Sequence, residues 1–517
     1  MSGTRGVIWH LFLGSSLALL LVCRAHLGDV SAQPKGQMTW AMHFTIAPTF
    51  WEPAETAGIT SFLFLYALHD ALVKSMPGQP QAPSLAESWS ESVDGLTYEF
   101  RLRQGVTFHN GDPLTAEDVK FSLERYRGLG ASLFKDKLQA VEIVDPSLVR
   151  LHLKEPWPDC MTYLGTPATS VGWIVPKQYL ERVGDDGFKK HPIGAGPYKF
   201  VRQREGIVLV LEAYEGYWRK VPHVKTLVMR SIPEDSTRLA MLKTGEADIA
   251  YAMMGLTAEE VKRDPKLTLA YSYGQGIFFI IFNEQGDRTS PWHDLRVRQA
   301  LNYAIDRQAL SDQQTLGASL LTGNIVARAL EFALPIEAYP YNPEKAKQLL
   351  KEAGYPHGFD AGEIASGPPY HALAEGVAND LLAVGIRIRV WPMERATIIT
   401  AVKEKKLSGL TSFGSGHLGN AATRLEPFVV SWGQFARISY PDIDALFKQQ
   451  DVETDRTKRQ TMLHQIQQLM YERVMFGPIW LYFWPSGIGP RVEEPALMLI
   501  NPFPWAAPLE DVRLKTG

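Results

Sequence analysis

The chain has 517 residues, with 53 Lys and Arg against 56 Asp and Glu, and two cysteines. The formal net charge of −3 excludes a broadly basic nucleic-acid-binding surface, and 45% hydrophobic with 21% charged residues exclude global disorder. At roughly 100–200 residues per domain this length predicts several domains, and two cysteines cannot build a disulfide scaffold or a zinc cluster.

The N-terminus carries the pattern of an export signal. An apolar run of twelve residues at 11–22 is followed by small residues at Val30–Ala32, where signal peptidase cleaves. A twelve-residue helix rises about 18 Å, short of the roughly 30 Å hydrocarbon core of a bilayer. We therefore predict that residues 1–32 are a cleaved signal peptide. An uncleaved anchor and lipidation at Cys23 stay open as alternatives, and the bulk of Val22 argues against the second.

The first half of the mature chain alternates between strand and helix patterns. The first predicted elements are a strand from Trp40 that leads into an aromatic loop up to Pro53, a strand at Thr97–Leu102, and a helix capped by Thr115 and Asp118 and ended by Gly128. They are followed by a tight loop at Gly194–Pro197 and a strand at Tyr198–Val201. A helix at Asp235–Lys243, ended by Gly245, and a strand at Asp248–Ala250 come next.

The second half is also mixed, which favours an α/β fold over an all-α or all-β one. The predicted elements are a strand at Phe278–Phe282, one helix over Asp294–Leu310, a helix from Pro343 to Gly354, a strand at Ile386–Val390, a long helix at Asp455–Val474 and an irregular tail at Phe483–Pro508.

Few patterns point to catalysis. Gly414–Gly419 fits G-x-G-x-x-G, but a dinucleotide site needs a strand before it and a helix after it, and Pro427 makes a long helix doubtful. We interpret this segment as a flexible loop at a ligand cleft. Cys160 has no nearby histidine and is predicted to be a small buried hydrophobe. No histidine pair has metal-ligand spacing, so we predict no metal and no cofactor. A carboxylate dyad is left open.

Several blocks resemble one family throughout the mature chain. The blocks are Leu85–Trp89, Asp94–Phe100, Leu102–Gly111, Leu114–Val119, Pro192–Tyr198, Leu242–Asp248, Leu295–Asp306 and Leu349–Tyr355. They look like the signature of the family-5 extracellular solute-binding proteins, the periplasmic binding components of dipeptide, oligopeptide and nickel ABC importers. Most of these blocks contain turn and capping residues, so we interpret them as parts of the scaffold.

The resemblance implies an α/β, periplasmic-binding-protein-like fold of two lobes (a Venus flytrap) with an inserted extra domain, which closes by a hinge. Mapped onto this sequence, lobe I comprises residues 33–80, 192–277 and 482–517. The inserted domain II is 81–191 and lobe III is 278–481. The predicted crossings between the lobes are Phe278–Asn283 and Trp480–Pro485.

The resemblance also implies a function. We expect a periplasmic, monomeric protein that captures a peptide-like or other small organic solute without turnover and delivers it to an ABC permease with its ATPase. No nucleic-acid partner is expected. An exported hydrolase or a chaperone-like peptide binder is the alternative from another class.

The ligand contacts are predicted from cleft loops and aromatic bulk. Peptide binders of the family hold the ligand's amine with an Asp, and the corresponding segment here, Phe413–Arg424, has no Asp or Glu. Arg424, and with it Arg437, would instead favour an anionic group by bidentate pairing. The predicted ligand-binding residues are Phe50, Trp51, Trp391, His417, Arg424 and Trp432.

Overall fold

The structure, a computed structural model, describes residues 33–56, 59–367, 370–416, 419–497, 499–500 and 505–515. The predicted signal peptide, residues 1–32, lies outside the described residues, as does His417.

The described residues form twenty strands. The first twelve are β1 (Lys35–Met42), β2 (Asp70–Ala71), β3 (Val73–Met76), β4 (Gln79–Pro83), β5 (Ala86–Glu91), β6 (Thr97–Leu102), β7 (Leu138–Asp145), β8 (Leu148–Leu153), β9 (Trp173–Ile174), β10 (Tyr198–Arg204), β11 (Val208–Ala213) and β12 (Val224–Ser231). The others are β13 (Ile249–Ala250), β14 (Thr268–Phe282), β15 (Phe359–Ser366), β16 (Ile386–Pro392), β17 (Leu410–Gly416), β18 (Phe476–Ile488), β19 (Val492–Glu494) and β20 (Arg513–Leu514).

Fifteen α-helices lie between these strands in the described part of the chain. The first seven are α1 (Phe62–Leu68), α2 (Ala116–Glu124), α3 (Ala131–Lys137), α4 (Cys160–Gly165), α5 (Lys177–Lys190), α6 (Asp235–Thr244) and α7 (Gly255–Arg263). The others are α8 (Leu295–Ala304), α9 (Arg307–Thr315), α10 (Pro343–Glu352), α11 (His371–Ala383), α12 (Arg395–Lys403), α13 (Ala421–Val429), α14 (Pro441–Gln450) and α15 (Arg456–Glu472).

Ten strands form one mixed sheet in the order β10-β11-β12-β1-β13-β18-β14-β17-β15-β16. β1 is parallel to β12 and β13, and β15 is parallel to β16 and β17, whereas β14 and β18 pair antiparallel. We call β14 and β18 the ribbon. It joins a first strand group, β10 to β13 with β1, to a second strand group, β15 to β17.

The ribbon and its helices bury both faces of the sheet. Along β14, Phe278, Ile280 and Phe282 belong to one core, while the alternating Ile277, Phe279 and Ile281 belong to another. A strand buried on both faces is continuously apolar rather than alternating, which explains the run at Phe278–Phe282.

A separate antiparallel sheet, in the order β5-β6-β8-β7, lies within the predicted inserted domain. It has its own core, which includes Phe100, Leu151, Trp157 and Cys160. Cys160 is fully buried, as predicted. The domain boundaries themselves stay predictions.

Elements with strong local signals are confirmed. β6 has the predicted bounds, and α2 begins with a capping box in which Thr115 and Asp118 satisfy each other's backbone N–H groups. Gly245 ends α6 in a left-handed conformation with φ of 78°, where a residue with a side chain would be strained.

Three expectations are wrong. The helix predicted over Asp294–Leu310 is two helices, because the Asp306 side chain accepts a hydrogen bond from the Ala309 N–H (2.9 Å) and caps a new helix. The tail predicted to be irregular begins as a strand, because β18 continues to Ile488 and pairs with β14. The Gly-rich segment interpreted as a flexible loop begins inside a strand, because Gly414–Gly416 are the last three residues of β17, and α13, which contains Pro427, starts at Ala421.

Candidate functional site

The first strand group presents one edge at the carboxyl ends of its parallel strands. β12, β1 and β13 end at Ser231, Met42 and Ala250, and their registers place these ends side by side. In open α/β sheets, ligands bind beyond the carboxyl ends of the strands. We call this the first edge, and the residues that follow it include His43 and Tyr251.

Arg238 holds the backbone of the first edge in place. Its guanidinium donates hydrogen bonds to the carbonyl oxygens of Tyr251 (2.8 Å), Ala252 (2.9 Å), Ile232 (2.8 Å) and Pro233 (2.7 Å). The side chain is buried, and this burial lowers its pKa to about 10. These four bonds fix the two segments that leave β12 and β13.

The second strand group presents a matching edge. Its parallel strands β15, β16 and β17 end at Ser366, Pro392 and Gly416, which we call the second edge. Trp391, at the end of β16, is 42% exposed. Gly416 pairs with Gly276 of the ribbon, so this edge lies beside the middle of β14.

The two edges lie on either side of a stretch of the ribbon whose pairing is irregular. Tyr273 pairs with Phe483 and the next registered pair is Ile277 with Leu481, so residues 274–276 lie opposite the single residue 482. The predicted crossing at Trp480–Pro485 contains residue 482, and the predicted crossing at Phe278–Asn283 begins two residues after residue 276. Extra residues in one strand bend a sheet locally, as a hinge requires.

Aromatic side chains fill the space between the edges. Trp484 of the ribbon lies 5.0 Å from His43, 5.4 Å from Trp505 and 6.5 Å from Tyr370, measured between ring centroids. Trp505 also lies 5.1 Å from Tyr251. We call these five residues the aromatic contact. It links the first edge, the ribbon and the segment that follows the second edge.

A second contact joins residues of the predicted inserted domain to residues in or beside the helices α13, α14 and α15. Asp159, which is 4% exposed, accepts hydrogen bonds from Asn420 (2.5 Å) and from Arg459. Lys137 donates to Asp451 (2.5 Å). Tyr163 donates to the Glu426 carboxylate (3.5 Å). We call these seven residues the charged contact, and it is rich in ionised groups that lie out of water.

Phe50 lies beside the first edge, and Trp51 does not line it. The Phe50 ring stacks on Phe64 at 5.6 Å and meets Phe44 edge-on at 5.7 Å. Trp51 is 1% exposed, and its indole N–H donates to the Lys189 carbonyl (3.0 Å). These contacts make Trp51 part of the core, and its predicted ligand contact gains no support from its position.

The two predicted arginines have structural partners. Arg424 is 1% exposed, donates from Nε to the Ile325 carbonyl (2.8 Å) and lies over the Phe428 ring at 4.5 Å. Arg437 donates to the Val402 carbonyl, and burial lowers its pKa. Both guanidiniums cap backbone carbonyls, so the expected anion contact finds no support in this geometry.

Of the predicted tryptophans, only Trp391 is at an edge. Trp432 is 47% exposed, but it follows the C-terminal end of α13 and packs against Phe447 at 6.0 Å, with the Lys448 ammonium over its ring. His417 lies outside the described residues. The structure therefore brings Phe50 and Trp391 to the two edges and leaves Trp51, Arg424 and Trp432 away from them.

The sequence reasoning missed His43, Tyr251, Tyr370, Trp484 and Trp505. Tyr251 directly follows a predicted strand, and His43 follows the strand that begins at Trp40. Their positions just after predicted strands could therefore have identified them as residues of the first edge. Trp484 and Trp505 lay in the tail that was predicted to be irregular, where no strand order was available to place them.

Burial keeps two titratable groups of the described part of the chain uncharged. Burial raises the pKa of the Cys160 thiol and lowers the pKa of His69 to about 3, so both are neutral at pH 7. Among the described residues, no group of three His, Cys, Asp or Glu side chains could hold a metal ion. The same residues contain no helix that is long and apolar enough to cross a membrane.

Comparison with known proteins gives consistent matches. The family model described as bacterial extracellular solute-binding proteins, family 5 Middle, matches residues 81–435. The glutathione-binding protein GsiB of Salmonella typhi is 33% identical over 362 residues, which cover 67% of this chain and 69% of that protein. The heme-binding protein A of Haemophilus influenzae is 29% identical over 482 residues, covering 86% of this chain and 88% of that protein.

A solved structure matches nearly the whole chain. It is the ABC transporter-associated periplasmic binding protein DppA from Helicobacter pylori in complex with the peptide STSA. The TM-score is 0.78 at 22% sequence identity, and the match covers 93% of this chain and 98% of that one. At this identity the likeness shows the fold alone.

Proposed function

The chain belongs to the family-5 bacterial extracellular solute-binding proteins, and from this premise we propose that it captures a peptide-like or other small organic solute for an ABC import system. The α/β fold of two lobes, expected from the sequence, is confirmed by the likeness to the solved structure. In the proposed function the lobes close on the solute, and the closed protein delivers it to an inner-membrane permease.

One observation supports this proposal most strongly. The carboxyl edges of two groups of parallel strands reach the ribbon on either side of a stretch where its pairing is irregular, at residues 274–276 and again between Phe278 and Phe279. Both edges are of the kind that binds ligands in α/β sheets, and two strands with irregular pairing between them are suited to hinge motion. A solute held there would contact both lobes and would favour the closed state.

The relatives define the range of solutes that we consider. One relative is named for glutathione, another for heme, and the solved relative holds a peptide. These relatives are binding proteins by name, and we propose that this chain also binds its solute without turnover. We further propose that residues 1–32 direct export to the periplasm, where the protein acts as a monomer with its permease and ATPase.

The test is to purify the exported protein and identify by native mass spectrometry the solute that accompanies it. Adding that solute to stripped protein should reduce the radius of gyration in solution scattering. It should also stabilise the fold, by about 2.7 kcal/mol at a free concentration of 100 Kd. An unchanged envelope at saturating solute, or conversion of the solute into product, would contradict the proposal.

A further inference from the structure

The charged contact joins two parts of the chain that are distant in sequence. Its hydrogen bonds connect residues 261 to 314 positions apart, from the predicted inserted domain to the region of α13, α14 and α15. The backbones also approach closely beside Asn420, because a Cβ atom at Gly419 would lie 3.1 Å from the Ala168 side chain and 3.2 Å from that of Thr162. The contact is therefore a packed interface in which charged groups are shielded from water.

The charges of this interface do not balance. Two of its carboxylates each face a cation, and the pairs are Asp159 with Arg459 and Asp451 with Lys137 (2.5 Å). The third carboxylate, that of Glu426, accepts a hydrogen bond from the neutral Tyr163 hydroxyl (3.5 Å). Among the residues that the structure describes, Glu426 forms no ion pair with a lysine, an arginine or a histidine. The interface therefore covers one carboxylate more than it has cations to match.

The surroundings of Glu426 make its negative charge costly. The titratable and charged groups that face it are Asp451 beside α14, Arg459 of α15, Asp159 and Tyr163 at α4, and Lys137 of α3 with its exposed partner Glu155. Both cations already pair with other carboxylates, and Arg459 also donates to the Gln450 carbonyl oxygen (3.0 Å). Burial and repulsion from Asp451 and Asp159 together raise the pKa of Glu426 to about 7.

Opening the interface would remove most of this cost. Glu426 lies on the α13 side, whereas Tyr163 and Asp159 lie on the side of the predicted inserted domain. When the two sides separate, water reaches the carboxylate and its pKa returns towards the ordinary value of 4.5. The carboxylate is then ionised at neutral pH, and it must lose that charge before it is covered again. Closed and open arrangements thus differ in their affinity for a proton.

We propose that closure of the lobes takes up one proton at Glu426, so that acid conditions favour the closed arrangement that holds the solute. This proposal deepens the proposed function and rests on it, because the inserted domain meets α13 to α15 when the lobes close on the solute. Release of the solute returns the proton. By linkage, the closed arrangement is favoured most below the open-state pKa near 4.5, and this advantage is lost as the pH rises through about 7.

The proton itself is the probe that tests the proposal, so the experiment needs no known solute. Solution scattering on the whole exported chain, stripped of solute, should show a radius of gyration that increases as the pH is raised. In a two-state fit, the ratio of closed to open protein should be about tenfold larger at pH 6 than at pH 8, since Glu426 is protonated in the closed form at the lower pH and ionised in both forms at the higher pH.

Two variants assign the effect to this carboxylate. Glu426→Gln is neutral at every pH, so its ratio of closed to open protein should not change between pH 6 and pH 8. Tyr163→Phe removes the one hydrogen bond that favours the ionised carboxylate, so its transition should move to higher pH. A contact with a merely structural role would close less in Tyr163→Phe at every pH, and its transition would stay in place.

Glu472→Gln is the matched control, because Glu472 is an exposed carboxylate on α15. This variant should keep the pH dependence of the wild type. Cooperative urea unfolding of each variant shows that it is folded, so an absent transition cannot come from loss of the fold.

The outcomes separate this proposal from the proposed function. A radius of gyration that does not change with pH, or a wild-type pH dependence in Glu426→Gln, would overturn the proton uptake. A radius of gyration that decreases as the pH rises would also overturn it, because the ionised carboxylate would then favour closure. If the solute that accompanies the protein causes compaction at constant pH, the proposed function stands in each of these cases. If acid causes compaction and that solute does not, the proposed function fails by itself.

Discussion

The aromatic contact and the charged contact hold parts of the molecule together by opposite chemistry. Around Trp484, rings from both edges pack at centroid distances of 5.0 to 6.5 Å. Around Asp159, a buried carboxylate is matched by Arg459 and Asn420 from another part of the chain. Apolar packing has little directionality, whereas a buried ion pair tolerates one geometry.

This difference suggests that the two contacts have different roles in closure. In the aromatic contact, a ring can leave its neighbouring ring and pack against an apolar group of the solute at little cost in free energy. This property suits a surface that opens and then binds a solute. The charged contact cannot be exchanged in this way, because each separated ion would need rehydration. We therefore expect the charged contact to define the closed arrangement and the aromatic contact to respond to the solute.

The largest effect should come from breaking the charged contact at Asp159. Asp159→Ala leaves Arg459 buried without its carboxylate, so the closed arrangement should lose about 3–5 kcal/mol, the usual cost of removing one partner of a buried pair. Solution scattering should then show a larger radius of gyration than in the wild type, and urea unfolding should give the change in free energy.

Glu155→Ala is the matched control. Glu155 pairs with Lys137 at 2.8 Å within the predicted inserted domain, so this pair does not cross the contact, and its side chain is 52% exposed. An exposed partner contributes about 0–1 kcal/mol, so the control should behave like the wild type. Equal scattering envelopes and equal free energies of unfolding for the two variants would show that the charged contact does not define the closed arrangement.

Much of the local structure was predictable because its signals are local. The capping box of Thr115 and Asp118 and the glycine at 245 act within one turn of helix, and the structure has both. The helix predicted over Asp294–Leu310 failed for a related reason. Periodicity continues across Ile305, but Asp306 competes for a backbone N–H and starts a second helix.

The candidate site was less predictable because strand order creates it. Trp51 and Arg424 have the size and charge of ligand contacts, yet the structure buries both against neighbours far away in sequence, at Lys189 and Ile325.

A smaller effect should appear as a pH dependence of the charged contact. Burial raises the pKa of Glu426 to about 7, with repulsion from Asp451 and Asp159 outweighing the hydrogen bond from Tyr163 and the charge of Lys137. The folded protein therefore holds a proton that the unfolded chain releases near pH 4.5. Stability should fall as the pH rises from about 4.5 to about 7.

Glu426→Gln tests this dependence by removing the ionisation. The variant should match the wild type at pH 4.5 and exceed its stability by about 3 kcal/mol at pH 8, measured by urea unfolding across the pH range. Glu472→Gln, on an exposed position of α15, should leave the pH profile as it is in the wild type. Parallel profiles for the wild type and Glu426→Gln would contradict the expectation.

The smallest effect is expected at the aromatic contact, where a single polar atom is removed. Tyr251 is 3% exposed, and its hydroxyl has no hydrogen-bond partner among the described residues. Tyr251→Phe keeps the ring against Trp505 and deletes an atom that makes no bond, so the free energy of unfolding should change by less than about 0.5 kcal/mol or rise slightly. The same variant tests whether the solute forms a hydrogen bond with this hydroxyl, since a ligand that does so would bind about fivefold more weakly to the variant. A loss of stability above 1 kcal/mol, on the order of a full hydrogen bond, would mean that the aromatic contact depends on directed polar bonds, and its contrast with the charged contact would no longer hold.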